Sequence, residues 1–160
     1  MHNQPRTFDT LEDAIPPTRQ AAMRLLARRE YGAWELAERL FQKGYPQEAV
    51  DIVIKRLQDK GLQSDERFVE IFVRSRKSRG QGPVRLRVEL QQLSVDQTLI
   101  ERYLESDEQA WVALAQQVCR KRFGTNKEVS PKERARQQRF LQYRGFSFEQ
   151  IKSALAQKGL

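Results

Sequence analysis

The 160-residue chain is 39% hydrophobic and 31% charged, with a mean hydropathy of −0.75; that is enough apolar content for packing but points away from one thick central core. A formal charge of +8 and a pI near 9.9 favour an anionic partner, with nucleic acid or a nucleoprotein surface leading and a merely solvated basic face competing. Cys119 is the only cysteine and His2 the only histidine, which excludes internal disulfides, Cys/His zinc clusters and imidazole triads and suits a reducing, cytosolic compartment.

In chain order, residues 1–17 carry Asp9, Glu12 and Asp13 without an apolar run. They read as a polar leader, with disorder one reading, and not as a signal peptide or anchor. Thr18 is expected to cap a helix through Ala22, Leu25 and Leu26. A second helix follows Gly32 with Trp34, Leu36 and Leu40. The third runs from Pro46 through Val50, Val53, Ile54 and Leu57 to Gly61, with Leu62 folding back as the apolar contact of that terminus.

Ser64 before Asp65 and Glu66 predicts the next N-terminus, and Phe68, Val69, Phe72 and Val73 its buried stripe. Gly80-Gln81-Gly82-Pro83 reads as a turn with Pro83 opening the following helix. Ser106 with Gln109, Ser130 with Glu133 and Ser147 with Gln150 have the spacing of capping boxes, and Trp111, Leu114, Ala115 and Val118 have helical spacing after the first of them. No stretch approaches the ~20 apolar residues that a spanning helix requires.

Comparing the chain with itself organises these elements. Leu40 to Pro46 aligns with Leu90 to Asp96 and with Leu141 to Ser147, at offsets of 50 and 51 residues. The match continues through Val50, Ile100 and Ile151, then Ile54, Leu104 and Leu155. Lys158-Gly159-Leu160 repeats Lys60-Gly61-Leu62. The expectation is an all-α fold of three tandem three-helix repeats, over 18–62, 63–105 and 106–160, forming an elongated modular array. Val84 to Leu90 alternates like a strand. Its repeat partners Trp34, Leu36, Glu38 and Leu40 instead predict a helix in which Val88 is more exposed than Leu86 or Leu90.

The cations cluster. Arg74, Arg76, Lys77, Arg79, Arg85 and Arg87 have no acidic residue between them, and residues 106–160 hold eleven basic against five acidic side chains, +6 of the total. Arg120, Lys121, Arg122, Lys132, Arg134, Arg136 and Arg139 lie in that stretch. Such residues suit phosphate contacts that ignore base sequence and weaken with salt. Tyr143, Phe146 and Phe148 near Arg139 and Arg144 offer rings for stacking, although Phe146 aligns with Tyr45 and Val95 and reads better as core. Gly80-x-Gly82 lacks both a preceding strand and a downstream Gly-Lys-Ser/Thr, so it is no phosphate loop. Cys119 beside Arg120, Lys121 and Arg122 reads as a small buried apolar side chain. Glu35, Glu38, Glu48 and Asp51 share helix faces with Arg39, Lys43 and Lys55, which favours surface pairing over acid-base chemistry. No catalytic constellation, cofactor or metal site emerges.

Asp65-Glu66-Arg67-Phe68, Phe72-Val73-Arg74, Arg76, Gly80, Gly82-Pro83, Leu86 and Glu89-Leu90 together resemble the signature of the RecX family. Ala27-Arg28-Arg29-Glu30-Tyr31, leading to Glu35-Leu36 and Leu40, is similar to its N-terminal part, and the likeness spans roughly 18–160. The resemblance implies a non-enzymatic, monomeric modulator of RecA recombinase. Such a protein associates with RecA filaments on single-stranded DNA, limits their growth or promotes loss of subunits, and lowers ATP hydrolysis, strand exchange and co-protease activity. The thirteen cations named in the two clusters above are expected to supply attraction to filament and DNA, and no membrane partner is expected. Gln137 departs from the pattern by standing where the second repeat has Leu86. The alternative is a helix-turn-helix-like regulator acting on duplex DNA without RecA; an enzyme using carboxylates alone is a distant third.

Overall fold

The computed structural model describes residues 4–126 and 128–156; the Lys158-Gly159-Leu160 match lies outside them. The described residues are all-helical: α1 (Leu11–Arg28), α2 (Ala33–Gln42), α3 (Gln47–Asp59), α4 (Asp65–Ser78), α5 (Pro83–Gln92), α6 (Gln97–Leu104), α7 (Glu108–Phe123), α8 (Pro131–Tyr143) and α9 (Phe148–Ala156). None of these helices is long and apolar enough to cross a membrane. Two compact units result, Met1–Ile71 with Leu93–Val95, and Phe72–Gln92 with Asp96–Leu160.

The repeat-matched positions are the interior. Leu40, Leu90 and Leu141, then Val50, Ile100 and Ile151, then Ile54, Leu104 and Leu155 are all buried, as are Tyr45, Val95 and Phe146. The alternating segment is helical as the repeat requires, with Leu86 and Leu90 fully buried and Val88 48% exposed. Trp34, expected in the α2 stripe, is exposed, as is its repeat partner Val84. Both lie two residues before a core leucine, off its face.

In the first unit α1 packs on α2 and α3, and α2 on α3, around Ala22, Leu25, Leu36, Leu40, Val53 and Leu57. α1 starts at Leu11, not at Thr18. The Thr10 side chain accepts from the Asp13 amide at 3.1 Å, and Ala14 is buried. Pro16 and Pro17 suggest a boundary in the sequence, yet the carbonyls they deprive of donors belong to exposed Glu12 and Asp13, which water can satisfy. Thr18 sits inside the helix, its hydroxyl donating to the Ala14 carbonyl at 2.7 Å. α3 closes as expected at Gly61 (φ 72°), with Gly61 N donating to Gln58 O at 2.9 Å and Leu62 N to Leu57 O at 2.8 Å. Leu62 itself remains 38% exposed, and the next residue, Gln63, is the buried one.

Asp65, which opens α4 behind its Ser64 cap, also caps α2. Its Oδ1 accepts from the Ala33 amide at 2.8 Å and from Gln63 Nε2 at 3.0 Å, while Gln63 Nε2 also donates to the Tyr31 carbonyl. Gly32 has no side chain for that task, so a carboxylate distant in sequence supplies it. Arg67 joins the same corner by pairing with Glu30 and donating to the Gly61 and Leu62 carbonyls. Asp65→Ala is expected to lower the stability of the chain by about 1–2 kcal/mol, read as the midpoint shift in urea at unchanged slope. Glu35 pairs not with Arg39 but bidentately with Arg29, at 3.0 and 2.8 Å. That hydrogen bond raises the Arg29 pKa, with desolvation opposing it.

In the second unit α5 packs on α6, α7 on α8 and α9, and α8 on α9. Ser130 caps α8 by accepting from Glu133 N. Ser147 and Gln150 form a reciprocal box, with bonds of 2.9 and 3.1 Å. At α7 the cap is Asp107, accepting from Ala110 N, and not Ser106. The adjacent carboxylate is the charged acceptor and carries the macrodipole benefit as well. Cys119 and Gln137 are both buried, and the thiol donates to Gln137 Oε1 at 3.5 Å. An apolar position of the repeat is thereby replaced by a polar pair.

The helix-to-helix turns at Gly44, Ser94 and Gly145 are all left-handed, with φ of 92°, 54° and 98°, and two of them receive an X-Pro-X segment. In the second unit Gly82 N donates to Arg144 O at 2.8 Å and Val84 N to Gly145 O at 2.9 Å. The approach is so close that a Cβ on Gly82 would lie 2.5 Å from the Gly145 carbonyl. In the first unit Gln4-Pro5-Arg6 takes the equivalent place. Arg6 N donates to Gly44 O at 2.9 Å, Arg6 Nε donates to Lys43 O at 2.9 Å, and a Cβ on Gly44 would lie 2.6 Å from Gln4 O. The N-terminal segment thus satisfies the same two turn carbonyls that the α4–α5 turn satisfies in the other unit.

Candidate functional site

All thirteen cations singled out in the sequence fall in the second unit. They divide into two kinds. Arg76 reaches Glu89 at 3.2 Å and lies over the Phe72 ring; Arg85 reaches the same carboxylate at 3.4 Å, and Arg87 reaches Glu105 at 3.1 Å. The Lys77 ammonium sits 4.4 Å from the centroid of buried Trp111. Arg76 thereby ties α4 to α5, Arg87 ties α5 to the end of α6 and Lys77 ties α4 to α7, while Arg85 pairs within α5. Arg74 and Arg79 are exposed, and the Arg79 carbonyl accepts from Arg144 Nη1 at 2.9 Å.

The second kind lies on α7 and α8. Arg120, Lys121 and Arg122 occupy the last turn of α7, where cations offset the macrodipole, and all three are exposed. Lys132, Arg134, Arg136 and Arg139 are exposed along α8. Phe123 and Phe140 meet edge to face at 5.2 Å, ringed by Arg122, Arg136 and Arg144 at 5.9, 5.5 and 5.1 Å. Arg136 also approaches Glu133 at 3.6 Å.

Beside this cluster runs a groove of about 740 Å³, with Val84, Phe146, Phe148 and Ile151 as its apolar wall and Arg134, Arg139 and Lys152 as its charged one. No carboxylate lines it. Phe148 is 73% exposed and Tyr143 78%, whereas Phe146 is core at 2%. The groove can take an extended anionic chain along its cations while apolar or ring surface covers Phe148. Of the thirteen residues the structure brings Arg134 and Arg139 together in the groove and Arg122 and Arg136 at the aromatic pair. Sequence reasoning had not singled out Lys152, although it follows Phe148 by four residues on α9 and therefore shares its face.

Among the described residues no group of three His, Cys, Asp or Glu side chains is placed to hold a metal.

The RecX models for the first, second and third three-helix domains match residues 19–57, 64–104 and 108–155. The Regulatory protein RecX of Halorhodospira halophila is 45% identical over 143 residues, 89% of each chain. The chain belongs to the RecX family. That of Pseudomonas entomophila is 42% identical over 148 residues, 92% of this chain and 96% of its own. The fold is that of RecX from Lactobacillus salivarius, with a TM-score of 0.79 at 18% identity over 92% of this chain and 97% of the other. A second solved structure, titled regulatory protein RecX, gives 0.75 at 19% identity, covering 90% and 72%. The relatives' names describe regulators, not enzymes.

Membership gives the signature residues a physical meaning. Asp65 and Arg67 tie the corner of the first unit, Arg76 and Glu89 form an ion pair, and Gly80, Gly82 and Pro83 make turns that backbone or side chains approach closely. The part of the RecX pattern most readily noticed in the sequence is therefore architectural.

Proposed function

We propose that this RecX-family chain is a cytosolic, non-enzymatic negative modulator of RecA recombinase. It binds the RecA filament on single-stranded DNA, limits filament extension or promotes disassembly, and so inhibits ATP hydrolysis, strand exchange and co-protease activity. The supporting observation is the carboxylate-free groove of the second unit, with Arg134, Arg139 and Lys152 beside exposed Phe148. Cations without bidentate base-reading partners suit backbone contacts, and DNA contact is accordingly weak and indifferent to sequence. Arg120, Lys121 and Lys132 extend the attraction by their exposure, and Arg74 and Arg79 add to it. Arg76, Lys77, Arg85, Arg87, Arg122 and Arg136 act chiefly through the shape of the unit, since their charges already meet carboxylates or rings.

The test is RecA ATP hydrolysis on single-stranded DNA titrated with the purified chain. The rate is expected to fall with added protein, and an unchanged rate at molar excess over RecA overturns the proposal. Strong preference for one duplex in a gel shift would favour the helix-turn-helix-like reading instead.

A further inference from the structure

The first unit has a basic concavity of its own, lined by none of the thirteen cations discussed so far. It has a volume of about 150 Å³ and is lined by Arg6, Arg24, Arg28 and Lys43, with Tyr45 and Leu25 among its apolar walls. Four cations and no carboxylate line it. Among the described residues none of the four makes an ion pair. Arg24 and Arg28 stand one turn apart on α1, where like charges repel. Offsetting the macrodipole accounts for Arg28 in the last turn of α1 but not for its convergence with Arg24 of the same helix and with Arg6 and Lys43 from two other segments.

The pocket is also built. Arg6 is fixed by two hydrogen bonds to the α2–α3 turn and by stacking of its guanidinium 4.7 Å from the Tyr45 centroid. It owes that position to the docking of Gln4-Pro5-Arg6 in the place that the α4–α5 turn, Gly82-Pro83-Val84, fills in the second unit. A rigid guanidinium, two arginines on one helix face and a lysine around a space sized for one tetrahedral anion match the needs of a phosphate group.

We propose that this pocket binds a phosphodiester of single-stranded nucleic acid, giving the first unit an anchor of its own. The inference rests on the nucleic-acid partner of the reading above. A carboxylate peptide would also meet the charge, and the polyglutamate arm of the titration below tells it apart.

The test is a ¹H–¹⁵N NMR titration of the full chain with short oligothymidylate, with inorganic phosphate and with polyglutamate. Oligothymidylate is expected to move the Arg28, Lys43 and Tyr45 amides saturably. Both Arg24→Glu/Arg28→Glu and the milder Arg24→Gln/Arg28→Gln are expected to abolish those shifts while keeping the wild-type helical melt. They should also flatten the slope of log affinity against log salt by about 0.7 for the phosphate lost. Shifts with inorganic phosphate or polyglutamate but not oligothymidylate, or an unchanged salt slope in both variants, overturn the proposal. Failure of the RecA reading would appear separately, as unaffected RecA ATP hydrolysis while the shifts persist.

Discussion

Trp111→Ala is expected to destabilise the second unit by about 3–5 kcal/mol, a large share of the roughly 5–15 kcal/mol that holds a domain folded. Trp111 is 1% exposed on α7, and its indole N–H donates to the Leu104 carbonyl at the end of α6, at 2.9 Å. Truncation empties the largest buried side-chain volume, strips that carbonyl of its donor and removes the ring under the Lys77 ammonium. Trp34→Ala supplies the contrast, because Trp34 is 42% exposed and its loss should cost less than about 1 kcal/mol. Urea unfolding followed by circular dichroism reads both, and equal midpoints for the two variants would contradict this assignment of interior and surface.

The second large effect is expected at the turn that receives the Gly82-Pro83 segment. Gly145→Ala is predicted to cost about 3 kcal/mol, combining a left-handed backbone with overpacking. Its φ is 98°, and the new Cβ would stand 2.4 Å from Arg85 Cβ and 3.0 Å from Arg85 N. Gly61→Ala isolates the backbone contribution, at φ 72° with nothing within 4 Å, and should cost about 1 kcal/mol. Gly82→Ala isolates crowding, since its Cβ would meet the Gly145 carbonyl and Phe146 N without a positive φ. If Gly61→Ala and Gly145→Ala shift the melting curve equally, the close approach of the two turns is not what the glycine serves.

These two sites show what was legible beforehand. The burial of Leu40, Leu90 and Leu141 follows from a fifty-residue periodicity that any reader can find, and the same periodicity overrode the strand-like alternation of Val84 to Leu90. Periodicity succeeds there because core positions recur once per repeat, whatever the local propensity. Starts of helices were harder. Pro16-Pro17 conceals the first turns of α1, and at α7 Asp107 outcompetes its neighbour Ser106, a choice between adjacent acceptors that spacing alone cannot make.

The candidate site was legible as composition and not as geometry. Counting cations finds all thirteen in the second unit, yet a count cannot separate Arg76, which is committed to Glu89 and Phe72, from Arg139, which lines an open groove. The pocket around Arg6 escaped for the same reason. Its cations come from the leader, from α1 and from the α2–α3 turn, so only folding reveals that they meet.

Inhibition through the groove depends most directly on the exposed arginines of α8. RecA ATP hydrolysis on single-stranded DNA should be titrated with the wild-type chain and with Arg134→Glu/Arg139→Glu, both shown by circular dichroism to be folded. The variant is predicted to need about tenfold more protein for half-inhibition at moderate salt. Half-inhibition at the wild-type concentration would contradict the role given to this groove.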